Sequence, residues 1–142
     1  MSNEFARNVQ DKAVNPAAFA LPSSASSSTN STAIDLGTAA GNNFRPEGIE
    51  LELSVPALST TIVPDTRTVT YIVESSTTSN FAAIDQTLMS ETATGAGGAG
   101  VGAFLKRVRL PSNCARYVRF KVTFGASTTT GAAVNATGTV RF

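Results

Sequence analysis

Histidine and tryptophan are both absent from the 142 residues, and cysteine occurs once, as Cys114. Without histidine the chain lacks the commonest general base near neutral pH and the commonest zinc ligand. A lone cysteine closes no internal disulfide, which fits synthesis in a reducing, cytoplasmic compartment. Cys114 follows Pro111-Ser112-Asn113 in an expected turn; with no histidine to activate it, it reads as a buried or bystander thiol rather than a nucleophile. No run approaches the roughly 18 uninterrupted apolar residues of a membrane-spanning helix. The N-terminal MSNEFARNVQDK has no apolar h-region of a signal peptide, so secretion is not expected. Good helix formers are sparse while Ser and Thr are abundant, which favours strands and loops.

Alternation supplies the strands. Ile49, Leu51, Leu53 and Val55 alternate with Gly48, Glu50, Glu52 and Ser54 before Pro56 ends the run, the pattern of a strand with one buried and one wet face. Val69, Tyr71 and Val73 share a face within Thr68 to Ser75. Ala103 to Leu110 is a third candidate. In Tyr117 to Phe124, Val118, Phe120, Val122 and Phe124 oppose Tyr117, Arg119, Lys121 and Thr123, and Ala133 to Phe142 closes the series. Weaker strands are expected at Ser31 to Leu36 and Thr87 to Thr92. Short strands spaced by turns, with no long helical pattern between them, indicate an all-β antiparallel β-sandwich or barrel.

Residues 1–30 read differently, as an extended N-terminal arm with a Ser-rich linker, SSASSSTNS at Ser23 to Ser31, ahead of a β-sandwich domain at 31–142. Phe5, Val9 and Ala13 are spaced for a short helix capped by Asn3 and stopped at Asn15-Pro16. Phe5, Val9, Val14 and Phe19 are apolar on a polar arm, suited either to docking on another protein or to packing across their own domain. The Gly-rich loop Thr92 to Ala103 is expected to be mobile in isolation. It lacks the Lys-Ser/Thr ending of a P-loop and no helix follows it, so phosphate binding is not expected.

The charges divide unevenly. Residues 1–100 hold all ten acids and four bases, whereas 101–142 hold seven bases, Lys106, Arg107, Arg109, Arg116, Arg119, Lys121 and Arg141, and no acid. Three readings follow: a nucleic-acid footprint, cross-strand pairing with Glu50 and Glu52 lying beside Arg119 and Lys121, or complementary faces meeting between subunits. The net charge of +1 gives weak long-range attraction to a polyanion, so nucleic acid is disfavoured. Arg107, Arg109, Arg119 and Lys121 join the arm residues as candidate partner contacts. Asp35, Asp65 and Asp85 have no metal-ligand spacing. Glu50 and Glu52 lie about 7 Å apart on one strand face, explained better by exposed alternation than by a glycosidase pair. The expectation is a protein that is not an enzyme and needs no cofactor or metal.

The order of segments resembles that of the capsid cement (decoration) proteins of tailed bacteriophages. The resemblance is carried by Gln10 to Asn15, by Ser31-Thr32-Ala33-Ile34-Asp35-Leu36-Gly37, by the strand Ile49 to Val55 and by the Asn80-Phe81 turn. It continues through Leu110-Pro111 leading into Arg116-Tyr117-Val118-Arg119-Phe120, and through Thr128-Thr129-Thr130-Gly131 before the final strand. It implies a jelly-roll-like domain on the capsid exterior of the virion that joins neighbouring major capsid protein subunits, often as a homo-oligomer, and it brings no catalytic residues. A different phage head or tail β module, and a nucleic-acid-binding β-barrel stacking bases on Tyr117 and Phe120, remain alternatives, although Phe120 should point into the core.

Overall fold

A computed structural model describes residues 17–37, 48–126 and 128–141. They form β1 (Ala17–Ala20), β2 (Ser28–Asn30), β3 (Ile34–Asp35), β4 (Glu50–Val55), β5 (Thr68–Ser76), β6 (Gln86–Thr94), β7 (Phe104–Arg109), β8 (Tyr117–Phe124) and β9 (Asn135–Arg141). One sheet has the order β1-β9-β4-β7; the other has β2-β8-β5-β6, with β3 also on β8. All pairings between named strands are antiparallel. Taking β2 and β3 as one interrupted strand, since both flank β8, each sheet has four strands. Only β5 and β6 are consecutive neighbours; the other connections cross between sheets. This is the jelly-roll form of the sandwich.

The period-two patterns fill the space between the sheets. Leu51, Leu53 and Val55 face Val69, Tyr71, Val73, Val118, Phe120, Val122 and Phe124, all essentially inaccessible to solvent. Each such side chain contributes roughly 1.5–3 kcal/mol when buried. Tyr71 stacks on Phe104 of the opposite sheet, ring centroids 4.1 Å apart and planes inclined by 23°. Its hydroxyl is buried with no hydrogen-bond partner, and burial pushes its pKa up to about 12. Gly138 of β9 leaves room for Phe120: a Cβ there would lie 2.2 Å from the ring.

Several expectations are corrected. The boundary at residue 30 falls inside the sandwich, because β1 pairs with β9 and β2 with β8. The Ser-rich run is therefore not a linker throughout: Ser28–Asn30 is an edge strand, and the Ser31 hydroxyl accepts a hydrogen bond from the Phe120 N–H at 3.0 Å where the ladder between β2 and β3 is interrupted. Phe19 belongs to the core, opposite Ala136, and is not a free docking residue; pairing of β1 with β9 buries its ring between the sheets. Residues 1–16, with Phe5, Val9, Val14 and the Asn3-capped helix, lie outside the described residues, as does Phe142.

The Gly-rich segment makes hydrogen bonds to the rest of the fold. Its first residues extend β6 to Thr94. Gly98 N–H then donates to both carboxylate oxygens of Asp65 at 3.0 and 3.1 Å, and Leu58 and Val101 exchange backbone hydrogen bonds at 2.8 Å each. Gly100 has φ of +75° and sits against the Leu58 carbonyl, where a Cβ would come within 2.0 Å. Glycine is required there by close approach and by the left-handed backbone.

Candidate interaction surface

Alternation that buries Leu51, Leu53 and Val55 turns Glu50, Glu52 and Ser54 outward. The two ladders of β4 then set Glu50 between Arg109 and Arg141, Glu52 between Arg107 and Thr139, and Ser54 between Leu105 and Thr137. Glu52 is the hub. It accepts hydrogen bonds from Arg107 Nε and, diagonally, from Arg141 Nη2, each at 2.6 Å, and remains only 7% exposed. Arg141 first and Arg107 second hold its carboxyl below the ordinary carboxylate range, against the opposing effect of burial. Glu52 in turn raises the Arg141 pKa. Arg109 lies 3.7 Å from Glu50, a loose exposed pair. Leu105 completes this face at its edge and is 64% exposed.

One residue further on, Lys106 faces the sandwich side of β7 and reaches Glu91 of β6 at 2.6 Å. This ion pair bridges the two sheets at their open side. An inward-directed charge of this kind is a common guard on an edge strand.

On the other sheet, Glu74 of β5 and Arg119 of β8 are direct cross-strand partners. Arg119 Nε donates to Glu74 Oε1 at 2.6 Å and its Nη2 lies 2.5 Å from the same oxygen. The connection between β5 and β6 folds over them: Phe81 places its ring 4.2 Å from the Arg119 guanidinium carbon. That connection is held by Ser76 Oγ donating to the Ala83 carbonyl at 2.7 Å and by Thr77 N–H donating to Asp85 at 2.5 Å. Arg116 binds Asp35 through Nε and Nη2 at 2.8 and 2.9 Å, and this contact raises the Arg116 pKa. Burial pushes the nearby Cys114 thiol up, partly offset by a hydrogen bond with Ser75.

The charge asymmetry of the sequence is thus a pairing pattern. Six of the seven bases after residue 100 meet an acid from residues 35–91, and Lys121 is the exception among the described residues. The expected partners are corrected: Glu50 and Glu52 pair with arginines of β7 and β9, while Arg119 and Lys121 lie in the other sheet. Register decides this, because β8 runs beside β5 and not beside β4. Arg119 is consumed by Glu74 and Phe81, so it is no free partner contact. Arg107 and Arg109 remain at the surface, on one face with Leu105. Leu105 was missed by the sequence reading, although its alternation with Arg107 and Arg109 was the available signal.

Among the described residues no three His, Cys, Asp or Glu side chains gather as a metal site. The acids that could serve as a catalytic pair, Glu50 and Glu52, are held by arginines. This surface presents paired charges and one exposed apolar edge to contact with another molecule. The chain matches none of the models of known protein families and none of the curated proteins with which it was compared.

Proposed function

We propose that the protein is a structural module that binds the outside of a tailed-phage capsid and cements neighbouring major capsid subunits. The observation that carries this reading is the outer face of the β1-β9-β4-β7 sheet: acids and arginines set side by side by the ladders, with Glu52 held by Arg107 and Arg141 and Leu105 exposed at the free edge. Such a face suits orientation-specific contact with another protein surface. The jelly roll agrees with it by analogy only, since that architecture serves capsid and lectin domains alike. Repetition over a shell turns a modest interface per copy into stable attachment.

The nucleic-acid reading loses support because its basic residues are mostly neutralised within the fold, and Phe120 is wholly buried. The test is to mix purified protein with capsid shells lacking it, measure co-sedimentation, and image the shells by electron cryomicroscopy. Ordered density at fixed positions on the shell is the expected result. Absence from the shells together with retention on DNA that weakens steeply with salt would overturn the reading.

A further inference from the structure

Strand β7 ends its sheet: among the described residues it pairs with β4 alone. Which of its backbone groups face outward follows from hydrogen bonds elsewhere in the sheet. Leu110 N–H donates to the Ile49 carbonyl at 3.0 Å, in the register that pairs Glu50 with Arg109. In an antiparallel ladder the hydrogen-bonded pairs alternate, so Val108, Lys106 and Phe104 direct their N–H and C=O groups toward β4. An independent path agrees. Leu21 N–H donates to Val134 C=O at 2.9 Å, so Ala136 and Gly138 face β1; Thr137, Thr139 and Arg141 face β4; and Leu51, Leu53 and Val55 are left to face β7.

The groups directed at the free edge therefore belong to Leu105, Arg107 and Arg109, whose side chains also form the outer face. Backbone donors and acceptors, an exposed leucine and two exposed arginines coincide on alternate residues of one strand. On this face three arginines, Arg107, Arg109 and Arg141, share two carboxylates, Glu50 and Glu52, so a cationic excess lies beside the edge. The adjacent β6 edge offers no such selection: the corresponding positions are Ser90, Thr92 and Thr94, neutral hydroxyls with no large apolar group. Symmetric pairing of β7 with a second copy would set like charges opposite one another in its central registers, Arg107 against Arg107 or Lys106 against Lys106, which is unfavourable.

We infer that the β7 edge is a strand-addition site for an acidic extended segment of a partner protein, with the outer-face pattern acid-x-acid-x-apolar running antiparallel to β7. The acids meet Arg109 and Arg107, the apolar residue covers Leu105, and main-chain hydrogen bonds supply the rest, as in other sheet-extension complexes. β4 already sets two acids against the same arginines on the other side of β7, Glu50 opposite Arg109 and Glu52 opposite Arg107, with Ser54 opposite Leu105. The inference rests on the reading of the protein as a binder of protein surfaces and names the partner's chemistry.

The probe is a capped peptide of the chain's own residues 48–56 carrying Ser54→Leu, which gives it the acid-x-acid-x-apolar pattern, compared with the same peptide also carrying Glu50→Lys and Glu52→Lys. Titration of the full chain, followed by amide NMR, is expected to show saturable binding of the acidic peptide and slowed exchange at the amides of Leu105, Arg107 and Arg109. The reversed peptide should bind at least about tenfold more weakly. Leu105→Pro removes a donor that no β4 bond uses, so the fold is retained while binding is lost. Arg109→Glu is the second variant, expected to weaken binding about tenfold with the backbone intact.

Equal binding of both peptides, or binding unchanged in both variants, overturns the inference. So does protection of these three amides in the free monomer, which would mean that the chain's own residues 1–16 or 38–47 fill the edge. Tighter capture of a thymidine oligonucleotide than of the peptide would assign the arginines to nucleic acid instead. Shell binding that survives Leu105→Pro and Arg109→Glu sinks this inference and leaves the cement reading standing; peptide binding without shell binding does the reverse.

Discussion

Replacing Arg119 by methionine removes the partner of a carboxylate that has nowhere else to go. The Glu74 side chain is 5% exposed and that of Arg119 17%, and Phe81 lies over the guanidinium at 4.2 Å. Breaking one partner of such a buried pair costs about 3–5 kcal/mol, because the remaining charge stays desolvated. Loss of the cation–π contact adds about 0.5–1 kcal/mol. Against a total stability of about 5–15 kcal/mol for a single domain, the variant should melt roughly 10–25 °C lower. The exposed pair of Arg109 and Glu50, 3.7 Å apart, is the internal contrast, since Arg109→Ala should cost about 1 kcal/mol or less.

Adding Glu74→Leu to Arg119→Met should recover most of the loss, because two apolar side chains under Phe81 replace a buried ion pair at little net cost. Urea unfolding of the wild type, the two single variants and the double variant measures both the loss and the coupling energy. A loss below about 1 kcal/mol for Arg119→Met, or a double variant as unstable as the single one, would refute the desolvation argument.

Other perturbations test other parts of the fold. Gly138→Ala drives a methyl group into the Phe120 ring and should cost about 1–3 kcal/mol, partly restored by Phe120→Leu, read by thermal denaturation. Ser31→Ala leaves the Phe120 N–H without its acceptor; a loss of about 1–3 kcal/mol is expected, with faster exchange of that amide. Glu52 has a folded pKa below its ordinary value of 4.5, so its contribution is complete above that pH and is lost as pH falls through the folded value. Glu52→Gln should accordingly flatten the acid limb of a stability profile, and an unchanged limb would contradict the arginine contacts. In a Tyr117→Phe background the one remaining tyrosine, Tyr71, should ionise near 12 when followed by ultraviolet absorbance. Because that value is raised, the stability it reports is full below about 10 and declines as pH rises toward 12.

Alternation of apolar and polar residues was enough to locate β4, β5, β8 and β9 and the side of each that is buried, because a pleated strand points successive side chains to opposite faces; β7 was located without its faces being assigned. The sparse helix formers and abundant Ser and Thr pointed to the all-β class. Strand pairing was not legible in that way. Glu50 and Glu52 find Arg109, Arg107 and Arg141 rather than Arg119 and Lys121, because the jelly-roll order sends β8 to the opposite sheet from β4. β1 and β2 escaped detection because, apart from Phe19 and Asn30, their residues are small or hydroxylic, and such short edges are stabilised by the ladders they join rather than by a pattern of their own. The Gly-rich loop is ordered by Asp65 and Leu58, more than thirty residues earlier in the chain. Local sequence determines which face of a strand is wet; the tertiary structure alone decides which charges share that face and which backbone edge is left without a partner.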